Sequence, residues 1–162
     1  QFGCLCRDNG IQLLYHNHDF EFVSFSGMYA LDFLYAAMPG DVLKTEIDVC
    51  WVKYAGEDPA AYLRKYAGRA PVVHLKDFVG RKEGDAAPYG LLGQSETKAA
   101  GEVPFEFRPV GYGCQDVSAV AEAGLDAGAK WFVVEQDASV GRTPLEAAAM
   151  SIDTLRKIGL KG

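Results

Sequence analysis

The stretch LLYHNHDFEF (residues 13–22) sets two histidines, His16 and His18, at the end of an apolar run, with Asp19 and Glu21 close behind. Three later runs end the same way. LKTEIDVCWV (43–52) carries Glu46 and Asp48, APVVHLKDF (70–78) carries His74 and Lys76, and KWFVVEQD (130–137) carries Glu135. A spacing of two puts both members of a pair on one side of an extended strand. Charges at such a place are costly unless they are paired or bound to a metal. Imidazole with carboxylate is the donor mix of a borderline divalent ion: Mn²⁺, Co²⁺, Zn²⁺ or Mg²⁺. One such ion would hold two oxygens of a sugar-like hydroxy-ketone and stabilise the enediolate formed on proton removal. Singly, each of these residues is as easily a helix cap, an ion-pair partner or a satisfied core group. Four strand ends together favour the metal.

The elements that must position them follow from the pattern. The four apolar runs are short and rich in Val, Ile, Leu and aromatics, which predicts strands buried on both faces, as in a parallel sheet. Helical spacing lies between them, over 30–38, 57–68, 115–129 and 142–159. Asp58 and Pro59 open the second of these helices; Thr143, Pro144 and Glu146 give the last a capping box. Strand–helix alternation reads as βα units with right-handed crossovers, an α/β fold whose polar strand ends share one rim. Residues 79–113, rich in Gly and polar types, have no sustained period. They leave the third strand directly after HLKDF, which predicts an active-site loop, with a surface insertion as the alternative.

Composition narrows the class. The 162 residues are enough for one domain, 1–162, with a proper core, and 49% hydrophobic content is ordinary for a globular protein. No apolar run is long enough to span a membrane, and no secretory leader is visible. The chain opens on Gln1, as a processed chain or a fragment would. A net charge of −6 offers no basic face for phosphates, so nucleic acid is not an expected partner. Cys4, Cys6, Cys50 and Cys114 include no CxxC pair, which predicts reduced thiols in a cytoplasmic protein.

YHNHDFEF, EIDVCWVKYAGEDPAAYLRKYAGRAPVVHLKDF, FRPVGYGCQDVSAVAEAG and WFVVEQD followed by TPLEAAAMSIDTLRKIG resemble the sugar phosphate isomerase/epimerase family, xylose isomerase-like TIM barrels, nearest the inosose dehydratase branch. The resemblance implies one divalent metal held by a side chain from each of barrel strands five to eight. The four runs match those strands, so Asp48, His74 and Glu135 are implied ligands, with His16 where many members carry glutamate. That exchange departs from a two-glutamate epimerase mechanism, and the HxH form resembles the dehydratase branch. Trp51 stands where many relatives have a histidine; it would stack on a sugar face or pack in the core. A full barrel takes about 250 residues and eight strands, and this chain supplies four βα units. It is therefore expected to be a truncated barrel, a homo-oligomer pairing half barrels, or one half whose partner chain carries the other.

The expected site has His16, Asp48, His74 and Glu135 on the metal and Glu135 as general acid–base. His18 is the second proton shuttle, since imidazole titrates in the useful range. Lys76 neutralises an enolate oxygen, or forms an ion pair with Asp77 or Glu46. Glu21, Trp51, Lys76 and Arg108 are the substrate-binding candidates. The expected activity is isomerisation, epimerisation or dehydration of a keto-sugar, sugar phosphate or keto-inositol. The alternatives are a metal-dependent hydrolase of the same barrel superfamily and a non-catalytic sugar-binding or assembly subunit.

Overall fold

The computed structural model describes residues 1–80 and 104–160. They form two compact units: Gln1–Leu75 with Ser118–Val133, and Lys76–Val117 with Val134–Gly162.

The first unit holds a four-stranded sheet. Its strands are β1 (Leu14–His16), β4 (Lys44–Asp48), β5 (Val72–Leu75) and β8 (Trp131–Val134), in that spatial order. β4 runs parallel to both β1 and β5, with His16 opposite Glu46 and Asp48 opposite His74. Chain order and sheet order agree, as successive βα units require. The helices between are α2 (Ala30–Ala37), α4 (Pro59–Lys65) and α5 (Val117–Asp126), within the expected spans. One sheet face is fully packed: Thr45, Ile47 and Val73 have no exposure, and Leu75 has 2%. The expectation of strands buried on both faces fails on the other side. There Lys44, Glu46, Val72 and His74 are half-buried and Trp131 is 68% exposed. Phe132 points the opposite way, so close to α5 that a Cβ on Gly124 would overlap its ring.

The expected strand over 43–52 is also corrected. β4 stops at Asp48, and Val49–Tyr54 forms helix α3. Asp48 Oδ1 accepts the amides of Cys50 (2.8 Å) and Trp51 (3.4 Å), the N-cap bonds that end a strand and start a helix. Helix α1 (Phe2–Asp8) and the hairpin of β2 (Ser24–Phe25) and β3 (Met28–Tyr29) were not anticipated. The hairpin turns on Ser26 (φ 51°) and Gly27 (φ 82°), the two left-handed positions that a tight primed turn demands.

A tyrosine cluster fastens α4 to α2. Asp32 on α2 accepts Tyr62 Oη (2.8 Å), Lys65 Nζ (2.6 Å) and Tyr66 Oη. Burial pushes the Asp32 carboxyl up, but Lys65, Tyr66 and Tyr62 together pull it below the usual range. Burial raises all of Tyr35, Tyr62 and Tyr66, helped at the last two by Asp32. Tyr15 is pushed up to about 12, by burial first and then by its bond to Glu21. An unfolded tyrosine ionises near pH 10. A raised pKa adds stability that is complete below the unfolded value and lost as pH climbs through the folded one. Alkaline unfolding is therefore expected to begin just above pH 10. Phenolate absorbance at 295 nm should rise for these four tyrosines only together with the loss of far-UV circular dichroism. Their titration near pH 10 in a still-folded protein would contradict this packing.

The second unit contains β6 (Asp77–Val79), β7 (Glu106–Arg108) and α6 (Pro144–Lys157). β6 and β7 pair antiparallel, so the span 79–113 is not wholly irregular; residues 81–103 of it lie outside the described residues. Asp77 is 1% exposed and gathers the chain after β7. Its oxygens accept the amides of Phe78, Gly111 and Gly113 (2.9 Å each) and Gln115 (3.1 Å). Gly113 has to be glycine: a Cβ there would overlap the Asp77 carboxylate and the Phe78 carbonyl. The capping box of α6 is present, with Thr143 and Glu146 bonded reciprocally.

Candidate functional site

β1, β4 and β5 end side by side, so their last inward-facing residues meet. One ligand-type atom from each of His16, Asp48 and His74 lies within 4.8 Å of the others. His16 Nε2 is 3.3 Å from Asp48 Oδ2, and the His16 and His74 rings stand 4.6 Å apart, edge to face. Asp48 has no solvent exposure, and its other oxygen is fixed by the α3 amides. His74 Nε2 is 2.7 Å from Glu46 Oε1. A carboxylate behind an imidazole sets the tautomer and ring orientation, as outer partners do for metal-binding histidines. Two imidazoles and an anchored carboxylate at this spacing are a donor set that fits a divalent cation.

Around this triad, His18 lies next to His16 (ring centroids 5.0 Å) and between two aromatics. It stacks on Phe20 at 5.5 Å and 10°, and is 5.5 Å from Trp51. Trp51, offered by the sequence as a sugar platform or a core residue, is 1% exposed and packs edge-on against Tyr54. Glu21 is 8% exposed. It accepts Tyr15 Oη (2.8 Å) and the His18 amide (2.9 Å), so its carboxylate braces the His16–His18 turn.

In the second unit, Lys76 is 3% exposed. Its Nζ is 2.9 Å from Asp137 Oδ2, 3.3 Å from Glu135 Oε1 and 5.0 Å over the Phe107 ring. The sequence offered Asp77 or Glu46 as an ion-pair partner. Alternation along the strand turns Asp77 away from Lys76, into the four backbone amides it accepts. Arg108 pairs with Glu106 at 2.7 Å. Asp137 and Asn17 were not singled out from sequence. Asp137 continues the two-residue period of the fourth run, a signal that was available.

With this geometry in view, comparison with known proteins bears on the fold. No family model matches the chain, and no curated protein matches it. Solved structures do. A sugar phosphate isomerase/epimerase from Parabacteroides distasonis ATCC 8503 aligns with a TM-score of 0.69 and 21% identity, over 95% of this chain and 48% of that one. A xylose isomerase domain protein from Planctomyces limnophilus gives 0.60 and 17%, over 93% and 46%. A xylose isomerase-like TIM barrel/4-hydroxyphenylpyruvate dioxygenase fusion protein gives 0.61 and 15%, over 96% and 23%.

The fold is that of half a TIM barrel.

The chain thus spans about half the length of the first of these structures, and the resemblance drawn from its sequence motifs holds at the level of fold. The half-barrel fold also accounts for the half-exposed sheet face, because the interior of a complete barrel is filled from strands on every side. None of Cys4, Cys6, Cys50 and Cys114 forms a disulfide. Among the described residues no helix is long and apolar enough to cross a membrane.

Proposed function

We propose that the chain is the cation-binding half of a divalent-metal-dependent isomerase, epimerase or dehydratase acting on a keto-sugar, sugar phosphate or keto-inositol. The carrying observation is the convergence of His16, Asp48 and His74 at the strand ends. In this reading Glu135, at the end of the fourth strand, is the fourth ligand. When bound, the cation would polarise adjacent carbonyl and hydroxyl oxygens of the substrate.

The chain's own groups divide the remaining work. Glu135 takes a proton from the carbon beside the carbonyl and returns it, oriented by the Lys76 ammonium at 3.3 Å. Lys76 in turn is held by Asp137. His18, between Phe20 and Trp51, is the second proton carrier. Glu21 keeps the His18 backbone in place. The similar solved structures, a sugar phosphate isomerase/epimerase and a xylose isomerase domain protein, support a sugar-type substrate.

The reading includes assembly. The sheet ends at β1 and β8, and β8 carries the exposed Trp131 and Val133. Four more strands, from the rest of a longer chain, a second copy or another polypeptide, complete the barrel and cover that face. The half-length match to the solved structures favours a second reading as well: a half that binds cation and sugar but turns nothing over alone.

Proton exchange in ²H₂O separates these. Mn²⁺-loaded protein is expected to wash deuterium into the carbon next to the carbonyl of a keto-sugar or keto-inositol, followed by proton NMR. Cation binding without exchange supports the binding half. Release of a hydrolysis product instead would overturn the isomerase–lyase reading.

A further inference from the structure

We infer that Asn17 is a positioning residue for the cation site: its side-chain amide locks the Asp48 main chain to the end of β1 and sets the His16–Asp48 spacing. The inference rests on the metal reading of the site, but part of its test does not.

The β1–β4 ladder reaches only as far as His16 opposite Glu46. Asp48 lies two residues past that register, and Asn17 meets it with its side chain. It is fully buried. Its Oδ1 accepts the Asp48 amide at 3.0 Å, and its Nδ2 donates to the Asp48 carbonyl at 3.3 Å and to the His18 carbonyl at 3.5 Å. One acceptor and one donor directed at a single residue reproduce what a paired strand would offer that residue. Asp48 is then held from two directions. Asn17 fixes its backbone, and the Cys50 and Trp51 amides fix Oδ1. The other oxygen, Oδ2, lies 3.3 Å from His16 Nε2.

Strand alternation explains why this falls to the middle residue of HNH. His16 and His18 share one face with their rings 5.0 Å apart, so Asn17 must face the packed layer, where a polar group needs every partner it can find. Aspartate would lack the donor, leucine both functions, and glutamine would carry the amide one methylene too far. A cation site tolerates little displacement of its ligands, and loss of a supporting contact typically weakens affinity by about 10–100-fold.

The test compares wild type with Asn17→Ala by two readouts. Amide hydrogen exchange, measured without metal, is expected to be at least about 10-fold faster at Asp48 in the variant, with little change in the distant β6–β7 pair. Co²⁺ titration is expected to show roughly 10-fold or greater weakening together with altered visible ligand-field bands. General destabilisation would move neither the band positions nor the Asp48 amide alone. If Asn17→Ala does not fold, Asn17→Ser, which reaches only one of the two Asp48 groups, is expected to show the same changes at smaller size. Unchanged exchange at Asp48 overturns the inference, as does faster exchange with wild-type Co²⁺ affinity and spectrum. A wild-type chain that binds no Co²⁺ overturns the metal reading itself, and the Asn17 role with it.

Discussion

Replacing Asp48 with asparagine is expected to weaken Mn²⁺ binding by about 100-fold or more while leaving the fold intact. The two carboxylate oxygens have separate jobs. Oδ1 caps α3, and Oδ2 faces His16 within the candidate group. Asparagine keeps an oxygen for the cap and puts an NH₂ where an anionic ligand is needed, so it isolates metal binding from stability. Since outer-sphere partners alone are worth about 10–100-fold, losing a direct ligand should reach or exceed the top of that range. Asp48→Ala removes both functions and should cost a further ~1 kcal/mol in urea unfolding through the lost cap. Calorimetric Mn²⁺ titration with circular dichroism distinguishes the two variants. Full-strength Mn²⁺ binding by Asp48→Asn would remove Asp48 from the ligand set.

Asp77→Ala is expected to produce the largest loss of stability, roughly 3–5 kcal/mol, and to leave Mn²⁺ affinity far less changed than Asp48→Asn does. Four backbone amides converge on this one buried carboxylate, and each buried donor left without an acceptor costs about 1–3 kcal/mol, less where water can enter. Asp77→Asn should fall between, since its amide group would confront two of those donors. Gly113→Ala attacks the same junction by overlap instead of by loss. Amide exchange at Gly111, Gly113 and Gln115 should accelerate first. A wild-type urea midpoint for Asp77→Ala would show that the junction is not what holds the segment after β7.

The sequence made the sheet and the ligand-type residues readable for one reason: four short apolar runs end in polar pairs, and a period of two assigns each residue to a face. α4 and α6 were readable from their caps, Asp58–Pro59 and Thr143–Pro144–Glu146. α3 was hidden because VCWVKY continues the apolar run of β4, and nothing but the double role of Asp48 marks the change. β6 and β7 are three residues each, too short for any period to register, and they pair across a long sequence separation. In the sequence Asp77 stands out only as an ion-pair partner for Lys76, and only the fold of the chain after β7 shows that backbone amides surround it. Asn17 is masked in the sequence by the two conspicuous histidines that flank it, and its buried bonds to Asp48 emerge only with the fold.

In the proposed function His16, Asp48, His74 and Glu135 hold one divalent cation. Crystals grown with Mn²⁺ and measured for manganese anomalous scattering test it most directly. The account predicts a single strong peak contacted by all four side chains. A structure with those side chains ordered and no peak among them, or with manganese held elsewhere, would contradict it.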